Sequence, residues 1–171
     1  MNINKLEDGS GSFDVSVRRR KESGPVVLFA VGAGGDPERH VTLLDALAES
    51  GCTVIAPHFP RLSLPRPTES ELTLRARRLC LVLDVYSLSG ATVSGVGHSI
   101  GAATLIALAG GHGFFQAPGA LDSVRVPILT WVGSEDDITP PSQIIWLAQA
   151  MPDSQNLGYD EINCRGCPYG V

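Results

Sequence analysis

A chain of 171 residues, 43% apolar and with a formal net charge of −5, has the size of one globular domain with one sizeable core and no room for a second. Its acidic balance argues against nucleic acid as a partner. No stretch has the apolar length of a membrane span, and the first thirty residues lack the charged-then-apolar layout of a secretion signal, so a cytoplasmic protein without a membrane partner is expected. Residues Ser12 to Val17 alternate in polarity and predict a strand, with a turn at 22–25. The basic run Arg18-Arg19-Arg20-Lys21 falls at the end of that strand and reads as a solvated edge. Residues 1–24 are therefore assigned to an N-terminal strand or edge segment, and 25–171 to a single domain without a lid.

Val26 to Val31 is a continuous apolar run, the pattern of a strand covered on both faces. Gly32-Ala33-Gly34-Gly35 follows as a loop. Asp36 can then cap a helix whose first position suits Pro37. Leu43, Leu44, Leu47 and Ala48 give that helix an apolar stripe, and Gly51 ends it. Thr53 to Ala56 is the next strand. Beyond the proline-rich loop Leu62 to Pro67, Thr68-Glu69-Ser70-Glu71 has the spacing of a capping box. Leu72, Ala76, Leu79, Leu83 and Tyr86 recur at helical intervals after it.

The most informative segment is Gly97-His98-Ser99-Ile100-Gly101. It stands between the strand Ala91 to Val96 and a helix from Ile100 to Ala109 that Gly110-Gly111 ends. Strand, sharp turn and helix are the context of a nucleophile elbow, in which a strained turn pushes the serine hydroxyl out above the sheet. The flanking glycines are needed where a Cβ would meet the neighbouring strand and helix. The Ile100 N–H, at the helix start, is aimed at any negative charge forming beside Ser99.

Phe114-Phe115 reads as the stub of a further strand, and Val126 to Val132 as a full one. Thr139-Pro140-Pro141 opens a helix that Pro152 closes, and Tyr159 to Ile162 makes a last short strand. This alternation predicts an α/β fold: a mostly parallel sheet with helices on both faces, in three αβα layers. Of the four cysteines, Cys52 and Cys80 are expected in the core. Cys164 and Cys167 form a lone C-x-x-C, without the second pair that zinc needs or the helix start of a redox site.

Three segments together resemble the α/β-hydrolase superfamily, and within it the small, lidless dienelactone hydrolase-like members. They are the Gly97–Gly101 elbow, the loop Val31-Gly32-Ala33-Gly34-Gly35, and Gly133-Ser134-Glu135-Asp136-Asp137-Ile138-Thr139-Pro140. The resemblance implies Ser99 as nucleophile, Asp136 as the acid with Asp137 as its competitor, and the N–H groups of Ala33 and Ile100 as oxyanion donors, with no cofactor and no metal. Val31 stands where the family's oxyanion loop carries a histidine. The family also places its catalytic histidine after the last strand. Here Gly166-Cys167-Pro168-Tyr169-Gly170 is similar to that segment with Tyr169 in the histidine's place, and no histidine follows His112. The helix that usually follows is missing, so the chain reads as a shortened hydrolase. His58 and His98 are the alternative bases.

Three functions compete. A serine hydrolase would act on a small ester, lactone or thioester, with Phe59, Leu62 and Leu64 as an apolar rim to the cleft. A catalytically impaired hydrolase fold would bind a small molecule or a protein instead. A nucleotide-binding protein is suggested only by the glycine-rich loop. That loop has Pro37 where G-x-G-x-x-G needs its third glycine, and no acid ends the next strand. An exposed sheet edge would favour a homo-oligomer.

Overall fold

The computed structural model describes residues 1–19, 24–86, 92–109, 118–134, 136, 140–150 and 157–162. Arg20 and Lys21, His112, Phe114 and Phe115, Asp137, Pro152, the Cys164/Cys167 pair and Tyr169 lie outside the described residues. The chain divides into two compact units, Met1–Leu108 and Ala109–Val171. Among the described residues no helix is long and apolar enough to cross a membrane.

The first unit is built on a five-stranded sheet in the order β1 (Asn2–Asp8), β2 (Gly11–Arg18), β4 (Thr53–Pro57), β3 (Val26–Ala30), β5 (Val93–Gly97). β3 is parallel to both of its neighbours, while β1 and β2 form an antiparallel hairpin that joins β4 antiparallel. Every residue of β3 and β4 is buried, as their unbroken apolar runs require of strands covered from both sides. α1 (Val41–Glu49) packs on β2 and β4 over one face. α2 (Glu69–Tyr86) and α3 (Ile100–Leu108) touch each other and cover β3, β4 and β5 over the other. The fold class is α/β, as the alternation of patterns predicts.

Strand order explains where a site can form. The chain goes from β3 to β4 on one side and then returns to place β5 on the other side of β3. Loops leaving adjacent carboxyl ends of β3 and β5 therefore diverge and open a crevice, the usual ligand position in an open α/β sheet. Ala30, at the end of β3, pairs with Gly97, at the end of β5.

Four features depart from the sequence reading. β1 is a strand although its residues are polar and largely exposed; Gly9-Ser10-Gly11 before the alternating run was the hairpin signal. Leu43 is 44% exposed, because α1 buries only the Leu44–Ala48 side. Arg18 is 3% exposed and paired, not solvated. β2 lies inside the sheet, and Glu38 and Asp45 cover the guanidinium at 2.5 and 2.8 Å. Cys80 is exposed, since α2 buries the side that carries Arg75, Arg78, Leu79 and Val82, and at about 100° per residue Cys80 points about 150° from the middle of that side. Cys52 is half-buried against the core.

The start of α2 is held as the capping box predicts. The Glu71 carboxylate accepts from the Thr68 N–H at 2.6 Å, and the Glu71 N–H donates to Thr68 Oγ1 at 3.3 Å. The same carboxylate takes the N–H and hydroxyl of Ser63, both at 2.9 Å, and so ties the preceding loop to the helix. The Thr68 and Ser63 N–H groups, followed by their hydroxyls, pull the Glu71 pKa from 4.5 down to about 2. A carboxyl depressed in the folded state adds stability above its unfolded pKa and loses it as pH falls toward the folded one. Melting temperature should therefore fall between about pH 4.5 and pH 2 more steeply in the natural chain than in Glu71→Gln. Parallel slopes in a melting series would overturn this.

From its middle α2 grips the hairpin. Arg78 donates from Nε to Asp8 Oδ2 at 2.7 Å and from Nη2 to Ser10 at 3.3 Å, with its guanidinium 4.3 Å from the Phe13 ring centre. The Arg78 hydrogen bond, then that of Ser10, holds the Asp8 carboxyl well below the usual range.

In the second unit β6 (Ile128–Gly133) and β7 (Leu157–Ile162) pair in parallel, and α4 (Pro141–Ala150) packs on both. α4 begins at Pro141, as the Thr-Pro-Pro sequence predicts, with Gln143 N–H donating to Pro140 O at 2.9 Å.

Candidate active site

Ser99 is the one non-glycine residue with positive φ among the described residues, at φ 55°. The left-handed region costs an ordinary side chain about 1–2 kcal/mol. The turn is closed by hydrogen bonds from Gly101 N–H to His98 O and from Ala102 N–H to Ser99 O, both at 2.9 Å. It is tied to β3 by the His98 N–H, which donates to Ala30 O at 3.1 Å. A Cβ at Gly97 would strike the Ala102 backbone, and one at Gly101 would overlap the Ala30 carbonyl. Both glycines of the pentapeptide thus answer to backbone, and Ser99 is left exposed at the carboxyl end of β5.

The loop after β3 lies against this turn. A Cβ built on Gly32 would stand 2.9 Å from His98 Nδ1 and 3.4 Å from Ser99 Cβ. Gly35, at φ 81°, sits so close to Phe59 that any side chain would enter the Phe59 carbonyl. Phe59 N–H donates to Gly35 O and Leu62 N–H to Ala33 O, each at 2.9 Å. The N–H groups of Ala33 and Ile100 donate to no backbone carbonyl among the described residues, which is ordinary for a first helical residue.

The sequence reading missed the residue that holds this loop. Arg75 is 2% exposed. Its Nη1 donates to Val31 O and Gly32 O at 2.9 Å, and its Nη2 to Ala33 O at 3.3 Å and Pro60 O at 3.2 Å. The guanidinium lies 4.9 Å from the Phe59 ring centre. Burial brings the Arg75 pKa down to about 10, against the pull of Glu71, so it is a cation at neutral pH. Phe59 and Leu62 are buried rather than at a rim, whereas Leu64 is 52% exposed.

His40 stacks between Phe29 and His98, with ring centres 5.1 and 4.8 Å away. Burial, then the charges of His98 and Arg39, lowers the His40 pKa and favours the neutral ring. His58 Nε2 is 2.8 Å from Ser16 Oγ, and its Nδ1 is 3.8 Å from Asp36 Oδ1. These three residue types are those of a catalytic triad, but Ser16 is 0% exposed and donates its proton to Glu38 Oε1 at 2.6 Å. Burial alone would raise the Glu38 pKa; the Ser16 and Arg18 hydrogen bonds outweigh it and keep the carboxyl low. With its hydrogen engaged there, Ser16 accepts from His58, the reverse of what a nucleophile needs. Asp36 caps the short 3-10 turn Pro37–His40 through Glu38 N–H at 2.9 Å, as its position predicts.

In the second unit, Asp136 follows the carboxyl end of β6, half-buried, with its N–H donating to Gly133 O at 3.1 Å.

Around this strand-order reversal, with its left-handed serine turn and glycine loop, the chain is similar in fold to solved structures of α/β hydrolases. A hydrolase from Pseudomonas aeruginosa matches with TM-score 0.74 and 13% identity, over 95% of this chain and 91% of its own. A lidless α/β serine hydrolase from Xanthomonas campestris matches with TM-score 0.67 and 18% identity, over 94% and 83%. A thermophilic esterase from Thermogutta terrifontis, solved with propionate bound, matches with TM-score 0.71 and 12% identity, over 94% and 82%. No protein-family model and no curated protein sequence matches the chain.

Proposed function

We propose that the chain is a serine hydrolase of the dienelactone hydrolase-like type, acting on a small ester, lactone or thioester in an open cleft without a cofactor. The observation that carries this reading is Ser99 in a left-handed turn at the strand-order reversal, with Gly32 against it. Ser99 Oγ attacks the carbonyl carbon while its proton passes to a base. The carbonyl electron pair moves onto oxygen, which the Ala33 and Ile100 N–H groups receive. The leaving group departs with a proton, and water then cleaves the acyl–serine bond. The sequence resemblance gives Asp136 the role of orienting that base. The esterase with bound propionate supports a short acyl group.

A second reading, a binding module with impaired catalysis, is favoured by one sequence fact: Tyr169 stands where the base is expected. A phenol with its usual pKa of about 10 is about 0.1% ionised at neutral pH. Treatment with a fluorophosphonate, with p-nitrophenyl acetate turnover followed in parallel, separates the two. Labelling of the folded chain at Ser99, lost in Ser99→Ala together with turnover, is the expected result. A folded chain that takes no label leaves the binding module.

A further inference from the structure

We infer that Arg75 is a positioning residue for the oxyanion hole, setting the direction in which the Gly32–Ala33–Gly34 loop presents its N–H groups. The inference rests on the serine hydrolase reading only for its catalytic consequence, since the geometry stands without it.

A trans peptide is planar, so its C=O and N–H point in opposite directions, and fixing one fixes the other. Arg75 draws the carbonyls of Val31, Gly32 and Ala33 to one guanidinium. Their partner N–H groups belong to Gly32, Ala33 and Gly34, and each is turned away from Arg75. Successive N–H groups facing one way make a concavity that attracts negative charge. The Gly32 O bond matters most, because that carbonyl shares its peptide plane with the Ala33 N–H. It is held twice, by Arg75 Nη1 at 2.9 Å and by Gly35 N–H at 3.2 Å. Gly32 in turn lies beside Ser99, since a Cβ added to it would stand 3.4 Å from Ser99 Cβ. The cation lies on the buried side of the loop and the serine on its exposed side.

Nothing simpler accounts for this arginine. A salt bridge would explain a buried guanidinium, but all four Nη hydrogen bonds go to backbone carbonyls. Nε has no partner among the described residues, so the side chain gives up one hydrogen bond to keep the others. The fourth carbonyl, from Pro60, joins the loop after β4 to the same clamp. Lysine could not replace it: an ammonium has three donors on one atom, whereas the planar fork reaches four carbonyls spread along two loops.

The test compares the natural chain with Arg75→Met, which keeps the apolar stem, and Arg75→Lys, which keeps the charge, after circular dichroism has verified folding. With p-nitrophenyl acetate, kcat should fall about 100-fold in Arg75→Met while KM stays within about threefold, because an oxyanion donor acts in the transition state. Arg75→Lys should recover only part of that loss. Crystal structures of both variants should show the Gly32–Ala33 peptide rotated. A kcat within about threefold of the natural chain, or a peptide that keeps its orientation in both variants, overturns the inference. If the natural chain neither takes the fluorophosphonate nor turns over ester, the hydrolase reading falls. The peptide orientation then decides alone: a rotated peptide supports the positioning role, and an unmoved one ends it.

Discussion

Replacing Ser99 by glycine will abolish reaction with a fluorophosphonate and leave the protein more stable than Ser99→Ala. At an ordinary position the order is reversed, since glycine costs about 0.5–1 kcal/mol more than alanine through the freedom it gives the unfolded chain. Ser99, however, has φ 55°, where a Cβ itself costs about 1–2 kcal/mol. Alanine keeps that cost and glycine relieves it. Glycine should therefore come out ahead by up to about 1 kcal/mol, or roughly 2–4 °C in melting temperature for a chain of this size. Both variants lack the hydroxyl, so both should be inert to the probe. The comparison separates strain from chemistry: a turn adopted for packing alone would have no reason to place a side chain there. If Ser99→Ala melts at or above Ser99→Gly, the strain is not stored at this residue.

Gly101→Ala should be severely destabilising. Its Cβ would overlap the Ala30 carbonyl and approach Val31 O at 2.8 Å, and both belong to backbone at the end of the buried strand β3. Overpacking usually costs about 1–3 kcal/mol when side chains can yield. Here the obstacle is main chain, so a loss of about 3 kcal/mol or more, or roughly 6–12 °C, is expected. Probe reaction should fall as well, because α3 must shift from β3 and carry the Ser99 turn with it. Gly95→Ala is the control. The nearest atoms to its Cβ would be those of the Leu105 side chain, Cδ1 at 3.1 Å and Cδ2 at 3.4 Å, and a leucine end can swing aside for under about 1 kcal/mol. Equal melting temperatures for the two alanine variants would show that the junction tolerates a methyl group.

What the sequence discloses and what it hides divide along a physical line. The elbow is legible because its requirements are local: a strand, a glycine where α3 crosses, a residue forced to positive φ, and a glycine against β3. The capping box is legible for the same reason, since Thr68 and Glu71 meet within one turn of helix. The runs Val26–Ala30 and Thr53–Ala56 declare themselves by length and composition. Arg75 and Arg18 do not. Charge marks both as solvent-facing, and their burial depends on partners 15 to 44 residues away in the chain. Cys80 shows the same limit in reverse. The apolar stripe read on α2 was displaced from its buried side, because arginines that satisfy their donors occupy positions an apolar pattern cannot reveal. β1 was hidden by its polarity, as an edge strand often is.

Arg75 and Arg78 are one helical turn apart on the same side of α2, one grasping the glycine loop and the other the tip of the N-terminal hairpin. A helix is stiff along its axis, so these two grips are not independent. The hairpin stands far from Ser99 in the sheet order, yet it and the loop beside Ser99 are anchored on one buried side of α2, by guanidiniums three residues apart.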